Sequence, residues 1–373
     1  MKNIFALALG CALLGSVLHA QTNDTIQSAQ PDQRVLKLQA DVRKEAERGS
    51  ADAQYALGKT YALGQGVTQD YAEAVKWYLK AATQGNAGAQ LNLGFSYMTG
   101  KGVIEDYAES VKWFRLAAEQ GNADAQWLLG TFYKYGKGIT QDYTEAAKWY
   151  RKAADQGNVD AQMALGAGYA NGQGVPQDYT EAVKWDKKAA EQGNVDAQWV
   201  LGSCYFLGQG VPKDYVEAAK WYRKAANQGS VDAQQALGSC YATGQGVPED
   251  FTEAAKWYRK AADQGNVDAQ VALGAGYSLG RGVTKDYIEA AKWYLKGAEQ
   301  GNVDAQYVLG ACYDKGIGVI KDAVESYKWY NLAAAQGNKD AATRRESIAA
   351  LMTPEQIAEA QKSSREFKPH HSH

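Results

Sequence analysis

The sequence has almost no histidine. Of its 373 residues only four are histidine, at positions 19, 370, 371 and 373, so residues 20–369 contain none. Histidine supplies the base in Ser/His and Cys/His nucleophilic pairs and is the commonest zinc ligand. Its absence argues against a hydrolase built on such a pair and against a zinc centre. We expect no catalytic residue, no cofactor and no metal site.

Cysteine is also scarce, and neither sign of charge is in excess. Beyond Cys11, in the N-terminal apolar run, the chain has only Cys204, Cys240 and Cys312, at intervals of 36 or 72 residues. Equivalent positions of stacked helices lie about 8–10 Å apart, whereas a disulfide needs Cα atoms within about 7 Å, so we expect buried free thiols. With 40 basic and 42 acidic residues and no basic run, we expect no nucleic-acid partner and no polybasic membrane contact.

A long apolar run occurs only at the start, in "MKNIFALALGCALLGSVLHA". It has a basic residue, an uncharged run and a small residue before a polar segment, a pattern that predicts a signal peptide over residues 1–20, cleaved after Ala20. A lipoprotein signal ending at Cys11 is the less favoured alternative. The run is too short to be a spanning helix. We expect a periplasmic or secreted protein, not inserted in the membrane after cleavage, with a flexible leader over residues 21–33.

What the sequence has in abundance is one motif, copied at a fixed spacing. An Ala-Gln pair recurs every 36 residues, without insertion, ending on Gln54, Gln90, Gln126, Gln162, Gln198, Gln234, Gln270 and Gln306. An unbroken period of this length is typical of a solenoid, in which each unit buries its apolar face on its neighbour. Eight units therefore fill residues 51–338.

One unit, residues 123–158, reads as two helices. Asn122 is a good N-cap for the first helix, and Gly136 is a residue that can end it in the left-handed conformation. Asp142 followed by Glu145 predicts a capping box at the start of the second helix. Paired carboxylates can also act in acid–base catalysis, but eight copies at helix starts favour capping. A tryptophan, here Trp149, lies in the apolar stripe of every second helix and is predicted to be core.

The recurring pattern A-x-A-Q-x-x-L-G-x-x-Y-x-x-G-x-G-V-x-x-D-x-x-E-A-x-K-W-Y closely resembles the Sel1-like repeat, as in Ala161-Gln162, Leu165-Gly166 and Lys184-Trp185. The resemblance implies an all-α fold, a right-handed α-solenoid of eight 36-residue helix-turn-helix repeats related to tetratricopeptide arrays. It also implies a scaffold or adaptor. We expect helical caps over residues 34–50 and 339–365, the latter with Thr353 as an N-cap, and a disordered tail over residues 366–373.

Departures from the pattern are the best guide to a site. Asp186 replaces the aromatic residue that follows tryptophan elsewhere, and loose packing that leaves it wet is favoured over a functional carboxylate. The first helices vary in residue type at two positions that would line the concave face, and variable aromatic residues there suggest an exposed partner groove. The predicted partner-binding residues are Tyr55, Lys59, Phe95, Trp127, Lys134, Met163, Trp199, Phe206 and Tyr307. The alternative is that some of them only pack against the next repeat.

The sequence therefore predicts an exported, non-enzymatic scaffold or adaptor that binds a protein or peptide, in the cell envelope, on its concave face. An immunity-type inhibitor of a secreted toxic effector is one alternative. A β-lactam or cell-wall hydrolase, like the cysteine-rich branch of the family, is another. That branch has a cysteine pair in each repeat, whereas no repeat here has more than one cysteine, and the repeats contain no "SxxK".

Overall fold

The computed structural model describes residues 33–369, and every regular element in this range is an α-helix. The helices are α1 (Gln33–Glu47), α2 (Ala51–Leu63), α3 (Tyr71–Thr83), α4 (Ala87–Thr99), α5 (Tyr107–Glu119), α6 (Ala123–Tyr135), α7 (Tyr143–Asp155), α8 (Val159–Asn171), α9 (Tyr179–Glu191), α10 (Val195–Leu207), α11 (Tyr215–Asn227), α12 (Val231–Thr243), α13 (Phe251–Asp263), α14 (Val267–Leu279), α15 (Tyr287–Glu299), α16 (Val303–Lys315), α17 (Ala323–Ala335), α18 (Lys339–Ala349) and α19 (Pro354–Glu366). The predicted all-α solenoid is confirmed. The predicted signal peptide, the leader up to residue 32 and residues 370–373 lie outside the described range.

Side-chain caps and glycines set the length of each helix. At the start of α8, the Asn158 side chain accepts a hydrogen bond from the Ala161 N–H at 2.8 Å, and Gly172 ends the helix with φ +66°. Only glycine adopts this left-handed conformation at little cost, which explains the glycine after each first helix. The predicted Asn N-cap and left-handed glycine end are confirmed.

The second helices begin differently from the prediction. Asp142 caps α7 as expected, since its carboxylate accepts from the Thr144 and Glu145 N–H groups at 2.8 and 3.0 Å. The predicted reciprocal bond of the capping box, from the Asp142 N–H to the Glu145 side chain, does not form. The Asp142 N–H already donates to the Tyr133 carbonyl at 2.9 Å, so Glu145 pairs instead with Lys148 at 2.6 Å. The aspartates are therefore simple N-caps, worth about 0.5–2 kcal/mol each.

By its contacts the chain divides into two compact units, separated in the sequence between Trp113 and Phe114. In the first unit, each helix from α1 to α3 packs on the helix that follows it. In the second, each helix from α6 to α17 packs on the helix that follows it, and α19 packs on α17. Small alanines beside large rings form the core in both units, and the tryptophans at positions 77, 149, 185, 221, 257, 293 and 329 are buried. The predicted tryptophan core is confirmed.

Buried glutamines connect successive helices. The Gln162 side chain on α8 donates to the Ala154 carbonyl on α7 at 3.2 Å and accepts from the Gln192 side chain at the end of α9 at 2.8 Å. Gln192 also donates to the Gly157 carbonyl at 3.1 Å. The same glutamine pair recurs as Gln54–Gln84, Gln126–Gln156, Gln198–Gln228, Gln234–Gln264, Gln270–Gln300 and Gln306–Gln336. These hydrogen bonds satisfy side chains that would be costly to bury alone, and the sequence analysis did not foresee them.

Helices close both ends of the repeat array. Ala46 of α1 packs with Leu57 and Trp77, and α18 and α19 cover the apolar face of α17. Thr353 caps α19 as predicted, and it forms a capping box with Gln356. The predicted start of a disordered tail at residue 366 is too early, because Glu366 ends α19 and Phe367 packs on Trp329 with ring centroids 5.6 Å apart. Within residues 33–369, no helix is long and apolar enough to cross a membrane.

Candidate protein-binding surface

The residue that follows each Ala-Gln pair points toward the next repeat. Tyr55 in the first unit shows the geometry: its ring lies 6.1 Å from the Tyr78 ring, and a Cβ on Gly88 would lie 2.8 Å from the Tyr55 ring. Tyr55 is half-buried, and the exposed Lys59 holds its ammonium 5.6 Å from the ring centroid, a cation–π distance. One side of this ring belongs to the core and the other faces solvent.

Trp127 corrects one prediction. Variation in residue type at its position suggested exposure, but Trp127 is only 6% exposed. The neighbouring residues cover the Trp127 ring, whereas the equivalent Trp199 on α10 is only half-buried. Trp127 is therefore part of the core, and the predicted exposure is wrong for this residue.

Trp199 and Phe206 on α10 keep an exposed side. Both are half-buried and both pack against the cluster around Tyr222 and Cys240 in the following helices. Phe206 meets the Tyr215 ring edge-on, with ring centroids 5.1 Å apart. Because each ring is held by packing, it is presented to solvent in a fixed orientation. This is the arrangement of aromatic hot spots in protein interfaces.

The remaining predicted residues behave in the same way. Met163 is half-buried against the α9–α10 cluster, Tyr307 lies 5.8 Å from the Tyr330 ring, and Phe95 on α4 is half-buried. Lys134 is half-buried and lies 5.3 Å from the Tyr135 ring. Met163 and Tyr307 therefore pack on neighbouring helices and also remain partly exposed. Their role in binding stays a prediction.

A small open cavity, with room for about 20 Å³, lies beside Lys134, between α6, α7 and α8. Tyr150, Ala164 and Gly168 form part of its wall. It exists because α8 has small residues where α6 has Leu128 and Phe132, both fully buried. It is therefore much smaller than known ligand-binding clefts, which are about 300–1,000 Å³.

A column of tyrosines lies opposite the first-helix glycines, and Asp186 interrupts it. Tyr222 packs on Gly202 and donates from its hydroxyl to Ser203 at 3.2 Å, and Tyr150 donates in the same way to Thr131. The residues at this position of the eight repeats are Tyr78, Phe114, Tyr150, Asp186, Tyr222, Tyr258, Tyr294 and Tyr330. Asp186 is thus the single member that is not aromatic.

Asp186 is buried rather than wet. It is only 5% exposed, so the prediction that loose packing hydrates it is wrong. A Cβ on Gly166 would lie 2.3 Å from the Asp186 Oδ1 atom, and Ala167 stands where Thr131 and Ser203 bear a hydroxyl. Burial raises the Asp186 pKa to about 7. The missing hydroxyl, 19 residues earlier in the chain, is a signal that sequence inspection could have found.

The cysteine thiols are poor nucleophiles in this setting. Cys204, Cys240 and Cys312 are free, as predicted. Burial raises the pKa of Cys204 and of Cys240 to about 11, and the Asp186 charge adds to the effect at Cys204. Thiolate is the reactive form, so neither sulfur has the environment of a catalytic cysteine. Within the described part of the chain, no group of three or more His, Cys, Asp or Glu side chains could hold a metal ion.

Comparison with known proteins identifies the family. The Sel1 repeat profile matches residues 51–86, 87–122, 123–158, 159–194, 195–230, 231–266, 267–302 and 303–338. The chain belongs to the Sel1 repeat family. A solved Sel1 repeat protein from Oxalobacter formigenes is 33% identical, with a TM-score of 0.64, over 90% of this chain and 99% of that one. Comparison with curated protein sequences gave no match.

Two further solved structures are similar to the chain. One is a protective antigen present in uropathogenic Escherichia coli strains, 35% identical over 87% of this chain and 85% of that one, with a TM-score of 0.48. The other is an immunity protein from Pseudomonas aeruginosa, 23% identical over 59% of this chain and 82% of that one, with a TM-score of 0.34. Superposition at this level carries no inference about function. What the family establishes is a repeat scaffold of the kind that mediates protein–protein contacts.

Proposed function

We propose that this Sel1 repeat protein is an exported, non-enzymatic scaffold that binds a protein or peptide partner through the exposed faces of its first helices. The observation that carries the proposal is the pair Trp199 and Phe206. Each ring packs on the core cluster formed by the following helices and keeps an open side. Anchored rings lose little conformational entropy on binding, so their exposed area contributes efficiently to affinity.

Export rests on the N-terminal sequence, whose apolar run and small residue at Ala20 fit a cleaved signal. The partner would then be an envelope or secreted protein. A test is to express the chain with a C-terminal tag, with and without residues 1–20. The full chain should be recovered outside the cytoplasm with Gln21 at its N-terminus, and the shortened chain should stay inside. Equal cytoplasmic retention of both would contradict export.

The binding surface is tested by a double variant, Trp199→Ala with Phe206→Ala. The purified protein, immobilised, is exposed to periplasmic extract, and the captured protein is identified and titrated against the parent and the variant. Affinity should fall at least about tenfold, since truncating one hot-spot aromatic costs about 2 kcal/mol or more. The matched control is Ile320→Ala, an apolar residue that is 90% exposed on the connection between α16 and α17.

Circular dichroism guards against a trivial loss of binding, because both rings also contact the core. The parent, the double variant and the control should have the same helix content. A partner that binds the double variant as tightly as the parent would place the interface elsewhere. Loss of affinity in the Ile320→Ala control alone would have the same meaning.

A further inference from the structure

The fourth repeat lacks the tyrosine ring that packs on the first-helix glycine in the repeats on either side of it. In the fifth repeat the Tyr222 ring covers Gly202 and its hydroxyl reaches Ser203. In the fourth, Asp186 takes the place of the tyrosine and Ala167 takes the place of the serine. Ala167 is exposed, whereas Ala275, its equivalent beside Tyr294, is half-buried. The missing ring therefore leaves a recess over α8, with a carboxyl group at its wall.

The carboxyl group in this recess has no partner. Although Asp186 is only 5% exposed, no hydrogen bond or charged group within residues 33–369 acts on its carboxyl group, since burial alone raises its pKa. On α8 it faces Gly166 and Ala167, which carry no charge, and on α10 its titratable neighbour is the Cys204 thiol. Ala167, next to the Gly166 that the carboxyl group contacts, is exposed, so solvent reaches the edge of the recess. Buried carboxylates are normally paired, and this one is left open to a ligand.

The recess lies on the proposed binding surface. In the equivalent places of other repeats, the residue after the Ala-Gln pair lies beside the tyrosine: Tyr55 is 6.1 Å from Tyr78, and Tyr307 is 5.8 Å from Tyr330. The residue at that position in the fourth repeat is Met163, which is half-buried. A side chain entering the recess would therefore pass Met163.

We propose that this recess binds the guanidinium group of an arginine side chain from the protein partner, with Asp186 as its counter-ion. This inference rests on the proposed function, since it names the chemistry of the partner. A guanidinium group is planar, like the phenol ring that is missing, and it can donate two parallel hydrogen bonds to one carboxylate. A metal ion fits poorly, because a single carboxylate beside a protonated thiol offers too few ligands.

The test uses N-acetyl-arginine amide as the probe and N-acetyl-citrulline amide as its uncharged isostere. The purified protein is labelled with ¹³C at the aspartate carboxyl carbons. The Asp186 resonance is assigned as the one that is missing from the spectrum of the Asp186→Asn variant. Arginine amide should shift this resonance in a saturable way at pH 8, with an affinity at least about tenfold above that of citrulline amide, because the charge-assisted bonds are lost in citrulline. Bound guanidinium should also move the midpoint of the Asp186 titration to lower pH.

A response of Asp186 that is equal for the two probes, or no response to arginine amide, would overturn the proposal. A second variant, Asp186→Tyr, restores the residue of the other repeats and should remain folded. In the parent, arginine amide should shift the backbone amide resonances of Gly166 and Ala167 in a saturable way. In this variant these shifts should be absent. Their persistence would place the arginine site elsewhere.

The outcome is separable from that of the proposed function. Trp199→Ala with Phe206→Ala leaves the recess intact, so the Asp186 response to arginine amide should be unchanged even though the partner is lost. If the recess binds arginine but the partner does not need the aromatic rings, the proposed binding surface is wrong and the proposed arginine site is supported. If the partner needs the rings but Asp186 ignores arginine, only the recess fails.

Discussion

Replacing Asp186 by asparagine should change how the stability of the protein depends on pH. In the folded state, burial raises the Asp186 pKa from its ordinary 3.8 to about 7. The folded protein therefore holds this proton more tightly than the unfolded chain does. Below the unfolded pKa both states are protonated and no penalty exists. As pH rises through the folded pKa, the stability contributed by the bound proton is lost.

The magnitude follows from the size of the shift. Each pKa unit corresponds to about 1.4 kcal/mol, so a shift of roughly three units costs the ionised protein up to about 4 kcal/mol of unfolding free energy at pH 8. Asparagine carries no proton and escapes this cost. The difference in unfolding free energy, Asp186→Asn minus parent, should grow by up to about 4 kcal/mol between pH 4 and pH 8, and stay constant above that.

Urea denaturation followed by circular dichroism at a series of pH values measures this difference. Other carboxyl groups titrate over the same range, but they are common to both proteins and cancel in the subtraction. Glu191→Gln on the same helix is the matched control, since it makes the same change from acid to amide at an exposed side chain. If the difference in unfolding free energy between Asp186→Asn and the parent is flat, or falls as pH rises, the reasoning is refuted.

Three further outcomes are expected. Trp221→Ala removes a ring that is 7% exposed and should lower the unfolding free energy by about 3–5 kcal/mol in urea denaturation, with an unchanged melting curve contradicting its core position. Asp214→Ala, which removes the acceptor of the Val216 and Glu217 N–H groups, should cost about 0.5–2 kcal/mol, whereas loss of an activity at full stability would indicate catalysis. Deleting residues 160–195 should leave a shorter folded protein with the same helix content per residue, and an unfolded chain by circular dichroism would disprove modular stability.

Local sequence signals were enough for the fold. Asn122, Gly136 and Asp142 mark helix ends through bonds that reach only two or three residues, or through backbone conformation at one residue, so sequence predicts them directly. The fixed period then predicts the stacking, because each unit has one apolar stripe to cover. The tryptophan core and the free thiols follow from the same two facts.

Features that depend on distant partners were harder to predict. The role of Glu145 was wrong because the Asp142 N–H is occupied by the Tyr133 carbonyl, a contact that only the folded connection creates. Trp127 was misplaced because variation in residue type was interpreted as exposure, although a variable side chain can also fill a variable space between repeats. The burial of Asp186 depends on its packing against α8 and α10, which the repeat pattern alone does not reveal.

The glutamine pairs bear on how such a gene can change length. At each pair within the second unit, the same amide donates to and accepts from the same kinds of group, so the end of any repeat there is compatible with the start of any other. Inserting or losing one residue between Gln162 and Gln192 would break these bonds, whereas duplicating or losing a whole repeat by recombination would recreate them at the new junction. Selection against the first kind of event and tolerance of the second would keep the period at 36 residues while leaving the number of repeats free to vary.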